Sequence, residues 1–543
     1  MAVAVAGAAP VASRPPVARR RGRPSVPLVA TALVVGAVFA GPFGYLVARN
    51  VAEGGDVLQV LTSPRVLGPL WRSVWLGATV ALASAVLGTS LAWLLARTDV
   101  PLRRVWQVLV PLPLVIPSFV GAASLVAAFA RGGLVDSVLG LDRLPNVRGF
   151  TGAFVVLTLL CYPYVFLTVA ARLRSMPPGL EESARLLGRS PATVFRTVVL
   201  PQASSAVWAG ALLVFLYVLS DFGAVSIVRY DALTRAIYAT RLDPQTSVPM
   251  SLLLGVLALA VVAGERALGR RRPAVEAGRA KRALRVPLGR WRWPALAFLG
   301  TVVTFALVAP VTVLAWWAGR GLANREAVVS SLASDPAGLV EPVLRTAMVG
   351  LVTAVVAVAV VLPVARLSVR YGGRLAEVPG ALVVGGFALP GLVTALALVF
   401  WVLQLPSWVG LYQTLPVLVL AYVLHFGAQS LRAAQVAVAG VPGRVEDAAR
   451  MLGARPARRF LTVELPIMLP GLLAGAGMVL LSTMKELPAT LLLAPTGFET
   501  LATRIWAANA EGFLAETGLT SLVLLALSGA LTWLLVLRRA DHL

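Results

Sequence analysis

Apolar residues run through this chain in blocks long enough to cross a hydrocarbon layer. Stretches such as "SVWLGATVALASAVLGTSLAWLLA" and "GLVTAVVAVAVVLPVA" match the roughly 20 residues that a membrane-spanning helix needs. Counting such blocks predicts twelve helices, near residues 26–50, 71–96, 106–130, 150–171, 206–230, 247–265, 294–318, 344–365, 378–404, 413–433, 469–495 and 517–537. The fifth and eleventh each hold charged residues well inside the block, among them Asp221 and Glu486.

Between the blocks, two polar segments interrupt the pattern and resemble each other. "EESARLLGRSPATVFRTVVLP" (181–201) returns as "EDAARMLGARPARRFLTVELP" (446–466), with 12 of 21 positions identical. Each reads as helix, turn, helix. Glu181 and Glu182 fall in a first helical turn, where carboxylates meet the positive end of the helix dipole. Leu180, Ala184 and Leu187 share one face at helical spacing. Gly188 and Gly453 can adopt positive φ and stop the helix. Ser190 before Pro191 fits an N-cap and first helical position, whereas the second copy has Arg455 before Pro456. A single such elbow is a plain amphipathic surface segment; two in equivalent loops imply two similar docking partners.

Composition agrees with a polytopic membrane protein. Only 13% of the 543 residues are charged, against about 25% in soluble domains. The net charge of +24 would point to nucleic acid in a soluble chain, but Lys and Arg collect in the cytoplasmic loops of membrane proteins. With the N-terminus placed inside, the inward segments hold 33 Lys/Arg and the outward loops 9. That bias predicts both termini, and both elbows, on the cytoplasmic side, and leaves no nucleic-acid footprint. Cys161 is the single cysteine, so no intrachain disulfide can form.

A basic segment, 267–293, divides the chain into two six-helix halves, 26–266 and 294–543, after a Pro-rich basic tail at 1–25 that reads as disordered. The linker suits anionic lipid headgroups. "LVIPSFVGAASLVAAF" parallels "GFALPGLVTALALVF", and an even number of spans on each side makes the halves parallel repeats, related by an axis along the membrane normal. The expected fold is therefore all-α, with about 12 transmembrane helices in two repeats.

The pattern E-x-A-x-x-x-G followed by L-P, carried here by Glu181, Glu182, Ala184, Gly188, Pro191 and by Glu446, Asp447, Ala449, Gly453, Pro456, resembles the EAA loop of ABC importer permeases of type I. Ser183 replaces the family's usual Ala, and Asp447 its Glu. The resemblance covers residues 26–540. It implies that each loop docks on one of two cytoplasmic ATPase subunits and that an extracytoplasmic binding protein delivers the cargo. It also implies a bacterial inner-membrane location. No G-x-x-x-x-G-K-[ST] phosphate loop is present, so ATP and Mg are expected on the partner ATPase, with no cofactor and no enzymatic activity in this chain.

Downstream of each elbow comes a charged residue inside an apolar block. "VLSDFGAVSIV" carries Asp221, and "TMKELPATLLL" carries Lys485 and Glu486. Asp221 and Glu486 lie at the same 265-residue offset as the elbows. Counting from the inner end puts Asp221 about 15 residues into its helix, within the membrane, where an unpartnered carboxylate is costly. Lys485 could neutralise one carboxylate where a Gly or Pro bends the helix near water. Alternatively the two carboxylates face each other near the pseudo-twofold axis and, with Lys485, line a pathway, the carboxylates being hard oxygen donors suited to a highly charged cation. Tyr162, Tyr164 and Tyr217 offer further oxygens, although packing explains them, and His425 reads as a packed, hydrogen-bonded histidine. "KELPATLLL" with "TLATRIWAANAEG" is similar to the ferric-iron branch of these permeases, in which two units are commonly fused. The resemblance implies iron(III) as cargo, with Asp221 and Glu486 inferred from position and charge as its transient ligands. Thiamine, an aminophosphonate, a polyamine or an oxyanion fits the same architecture. An ion-coupled secondary transporter would have no use for two elbows.

Overall fold

The computed structural model describes residues 24–53, 56–140, 145–176, 179–270, 286–323, 336–404, 410–532 and 534. All but two residues of the expected tail, and most of the basic linker, lie outside this set. The first half contains α1 (Val26–Glu53), α2 (Pro64–Arg97), α3 (Ser118–Ala128), α4 (Phe150–Ser175), α5 (Gly179–Leu186), α6 (Leu200–Ser220), α7 (Gly223–Ile227) and α8 (Pro244–Arg270). The second opens with α9 (Ala309–Ala323), α10 (Val340–Arg370), α11 (Arg374–Ala388), α12 (Gly391–Gln404) and α13 (Leu415–Ala439). It closes with α14 (Gly443–Met451), α15 (Leu465–Thr483), α16 (Pro488–Leu493), α17 (Leu501–Glu511) and α18 (Leu514–Thr532). No strand occurs among the described residues, which hold a single isolated bridge between Thr98 and Val286.

Ten helices are long and apolar enough to cross a membrane, or up to twelve if each of two bent pairs is one span. The bent pairs are the expected third and ninth spans. Arg103–Val115 turns by 92° into Ser118–Ala128, and Leu375–Ala388 by 104° into Gly391–Gln404. Both bends fall at a proline, Pro117 and Pro390, which lacks the N–H that would continue the ladder. The expected fifth and eleventh spans also differ. Each begins earlier, inside the elbow, and stops just before its acidic residue: α6 ends at Ser220, next to Asp221, and α15 at Thr483, three residues before Glu486. Asp221 is thus at the end of a 26-residue span, Phe195–Ser220, about 39 Å long at 1.5 Å per residue, not within its interior. A π-helical turn leads into each of these helices, at Phe195–Val199 and Phe460–Glu464.

Small residues set the closest helix crossings, as expected where apolar burial gives little drive within lipid. A Cβ on Gly88 of α2 would stand 2.7 Å from Tyr162 O and 2.8 Å from Phe166 N of α4. Gly210 of α6 brings α4 equally near, with Val165 Cα 2.8 Å from the position of a Cβ. The faces turned away from these contacts carry Leu82, Val86, Trp208, Leu351 and Val355, all exposed and compatible only with an apolar surround.

The two halves interlock through their first helices, α1 lying chiefly on the second half and α9 bridging α18 of its own half to the first. The α1 helix packs on α10 and α11, and its buried Phe39 presses its ring against Gly427 of α13, which has no side chain to obstruct it. Reciprocally, α9 packs on α3, where Trp317 Nε1 donates to Ala127 O at 3.0 Å.

Candidate functional site

Both elbows take the conformation their sequence demands. Gly188 has φ +74° and Gly453 φ +75°, a region open to glycine and strained for other residues. The amide of Gly188 donates to Arg185 O and that of Arg189 to Ala184 O; Gly453 and Ala454 repeat the pattern with Arg450 and Ala449. This paired closure satisfies the last carbonyls of α5 and α14. Pro191 and Pro456 then start the next helical turn. Ser190 Oγ accepts from Thr193 N at 3.3 Å, while Arg455 makes no side-chain cap.

The two glutamates differ from their exposed neighbours Glu182 and Asp447 in being buried. Glu181 Oε1 lies 3.0 Å from Arg97 Nη2, and Glu446 Oε1 2.6 Å from Arg370 Nη2. Arg97 and Arg370 are the last residues of α2 and α10, so each elbow is pinned to the second span of its own half. Burial lifts the Glu181 carboxyl above its ordinary range, against the opposing pull of Arg97 and Arg185. Ala184 and Ala449 turn toward the protein, while Leu186 and Leu187, matched by Met451 and Leu452, are at least 80% exposed. Each elbow thus carries two large, exposed apolar side chains among polar neighbours, a feature that commonly marks contact surfaces. The shared-face reading of Leu180, Ala184 and Leu187 is modified accordingly: Ala184 is half-buried and both leucines are outside.

The acidic residues downstream are caps at helix breaks. Asp221 Oδ1 accepts from Ala224 N at 2.9 Å and Val225 N at 3.3 Å, the first amides of α7. Glu486 Oε1 accepts from Ala489 N at 3.1 Å, the first turn of α16. Each cap sits against the proline bend of its own half. Ser118 lies beside Asp221, and a Cβ on the equivalent Gly391 would be 2.9 Å from Glu486 Oε1. No ion pair joins Asp221, Glu486 and Lys485 to one another among the described residues. Lys485 Nζ instead reaches Leu114 O of the first half at 3.4 Å, and Phe222 meets Trp506 of the second half at 5.3 Å between ring centroids. Both acid-bearing turns therefore touch the opposite half. Tyr164 and Tyr217 pack at 5.6 Å near Asp221, whereas Tyr162 donates to Val110 O, away from it. His425 packs between Phe387 and Phe426, and its ring hydrogen-bonds the Leu389 backbone. No cluster of three or more His, Cys, Asp or Glu able to hold a metal occurs among the described residues.

Two copies of one helical unit, each with an elbow and a capped carboxylate, correspond to two matches to a single protein family. The signature of the binding-protein-dependent transport system inner membrane component matches residues 84–272 and again 348–540. The chain belongs to this family. It is similar to the Fe(3+)-transport system permease protein FbpB 2 of Haemophilus influenzae, 27% identical over 94% of this chain and 98% of that protein. It is also 34% identical to the molybdenum transport system permease protein ModB of Mycobacterium tuberculosis, over 38% of this chain and 80% of that protein. A third relative, the sulfate transport system permease protein CysT of Salmonella typhimurium, is 30% identical over 31% of this chain and 61% of that protein. This permease is therefore two fused family units with the type I permease fold.

The halves of the permease brace their elbows with different chemistry. In the second, buried Glu464 takes Arg459 Nε at 3.0 Å on one oxygen and Arg366 on the other, and the Arg366 guanidinium stacks over Phe460 at 4.7 Å. In the first, Val199 and Val194 replace the acid and one arginine, and Trp93 meets Phe195 edge-on at 5.4 Å. Sequence reasoning counted Arg97 and Arg370 only as loop charge. Their shared place at the end of each half's second span was the signal that marks them as anchors. At the opposite end of the bundle, Arg148, Ser226 and Arg229 of the first half and Trp506 and Asn509 of the second line a cavity of about 390 Å³.

Proposed function

We infer that this permease is the membrane subunit of an ATP-driven importer whose cargo is ferric iron, received from an extracytoplasmic binding protein. The observation that carries the ATP-driven part is the pair of elbows. Each presents exposed leucine or methionine while its buried glutamate is held by an arginine at the end of a membrane span. An ATPase docked on each elbow would push on the α2 or α10 end through that ion pair. The interlocked first helices would make the halves rock against each other rather than separate. In this reading both elbows and both termini face the cytoplasm, and the loop bias in Lys and Arg supports that orientation.

Iron rests on the relationship to FbpB 2 along nearly the whole chain and on the two carboxylates at turns that meet the opposite half. Asp221 and Glu486 cap α7 and α16 in this structure; rocking would free their remaining lone pairs for a hard cation. The test is uptake of radioactive iron(III) by proteoliposomes containing the permease, its ATPase and its binding protein. Wild-type uptake by Asp221→Asn with Glu486→Gln would reject a pathway role.

A second reading, an oxyanion as cargo, is favoured by one feature. The cavity between the halves is lined by Arg148 and Arg229, and guanidinium groups suit tetrahedral oxyanions. The molybdenum and sulfate permeases among the relatives accord with it. Uptake of labelled sulfate or molybdate in the same vesicles, without iron uptake, would establish this reading over the first.

A further inference from the structure

The end of the basic linker is tied to the first half at the turn following α2. Val286 N donates to Arg97 O at 2.8 Å, and Thr98 bridges Val286 in parallel. Leu288 N donates to Asp99 Oδ1 at 2.8 Å, and Arg292 Nη2 meets Asp99 Oδ2 at 2.7 Å. Both oxygens of one carboxylate are thus occupied by the strap, residues 286–292. The Leu288 amide, followed by the Arg292 guanidinium, holds the Asp99 carboxyl below the usual carboxylate range. A tether needs no such contacts, because ordering its backbone is unfavourable unless something offsets the lost entropy.

The strap lands beside the weaker of the two elbow anchors. Arg370 Nη2 serves both Glu446 and Val441 O, the latter at 3.0 Å. Arg97 has its ion pair with Glu181, but none of its three side-chain nitrogens has a hydrogen-bond partner among the described residues. The backbone carbonyl of Arg97 is itself held by the strap. At the matching turn after Arg370, Tyr371, Gly372 and Gly373 offer no acid. Downstream, Arg292 begins the helix Arg292–Val303, which continues through a π turn into α9, the helix that bridges to the first half.

We propose that residues 286–292 position the first elbow: Asp99, clasped by Leu288 and Arg292, fixes Arg97 and through it Glu181, linking the first elbow to the second half's bridging helix. Asp99 is then a positioning residue that acts on one elbow of the two. The inference rests on the elbows being the ATPase-coupling elements.

The test uses the full permease with its ATPase and binding protein in proteoliposomes, with spin labels at Ser183→Cys or Ala448→Cys, exposed equivalent positions of the two elbows, in a Cys161→Ala background. Asp99→Ala is expected to mobilise the label at 183 and leave 448 unchanged. It should also raise the ATP hydrolysed per cargo ion about threefold to tenfold. Asp99→Glu, which keeps a carboxylate for both donors, should retain both readouts, whereas Asp99→Arg with Arg292→Asp, which rebuilds the ion pair but leaves the Leu288 amide without an acceptor, should restore them only in part. Should Asp99→Ala fail to accumulate, Leu288→Pro removes one donor, keeps both charges and should give the same one-sided change. Equal mobilisation of both labels, or no change at either, would overturn the proposal. Gly453→Asp serves as the control. If it uncouples while Asp99→Ala does not, the strap alone fails; if it leaves coupling intact, the coupling role of the elbows fails with it.

Discussion

Glu446→Gln tests whether the second elbow is held by charge. The carboxylate and Arg370 are each under a tenth exposed and meet at 2.6 Å. Removing one partner of a buried ion pair costs about 3–5 kcal/mol, chiefly because the other charge stays buried. Arg370 keeps one partner, Val441 O, so the lower end, about 3 kcal/mol, is expected. That is about a hundredfold in the equilibrium between docked and undocked elbow. Hydrogen exchange across residues 443–451 reads this directly, since local opening sets amide protection. Protection should fall about a hundredfold in the variant, with no comparable loss in 179–186. Adding Arg370→Met should recover most of it, because replacing both members of a buried pair is often neutral. A change in protection below about threefold, roughly 0.6 kcal/mol, would refute an electrostatic anchor.

Three further outcomes follow from the same geometry. Gly453 at φ +75° should tolerate Asn better than Val, the latter costing about 1–2 kcal/mol or more, and transport-stimulated ATP hydrolysis should fall in that order. Gly88→Ala places a methyl 2.7 Å from Tyr162 O, so α2 and α4 must separate; thermal melting in detergent should show about 1–3 kcal/mol lost, whereas an unchanged melt would mean the crossing adapts freely. For the strap, the Asp99 carboxyl titrates below its usual range, so its contribution is complete above the unfolded carboxylate pKa. It is lost only as pH falls through the lower folded value. Exchange protection at Leu288, corrected for intrinsic rate, should persist from neutrality to mildly acidic pH and then drop, and Asp99→Asn should abolish that step.

Hydropathy located the spans because it counts side chains, and side chains are what lipid selects. The same property hid the breaks. Residues 106–130 and 378–404 are apolar throughout, yet each bends by more than 90°, because a bend is a matter of backbone partners rather than side-chain polarity. Pro117 and Pro390 stand at those bends, but Pro42, Pro69, Pro163, Pro249, Pro363 and Pro470 lie within continuous helices. Proline alone therefore carried no decision. The acids were legible as anomalies, but not as caps, since the amides they bind belong to turns that a continuous apolar block conceals. In the elbows, by contrast, Gly188 and Gly453 could be read directly, because positive φ is a property of the residue itself.

The repeat also shows what duplication preserves. Phe195 and Phe460 occupy the same place, and each needs a cover: Trp93 supplies it by an edge-on ring, Arg366 by its guanidinium plane. An arginine there brings a charge that must be answered, and Glu464 answers it while also holding Arg459, where the first half needs only Val199 and Val194. Changing one cover thus entails changing the residues around it. The two elbows keep their shape and their Arg–Glu anchors while the braces behind them diverge. The half without the charged brace is also the one on which the linker strap lands, so the two elbows reach the same position by different sets of contacts.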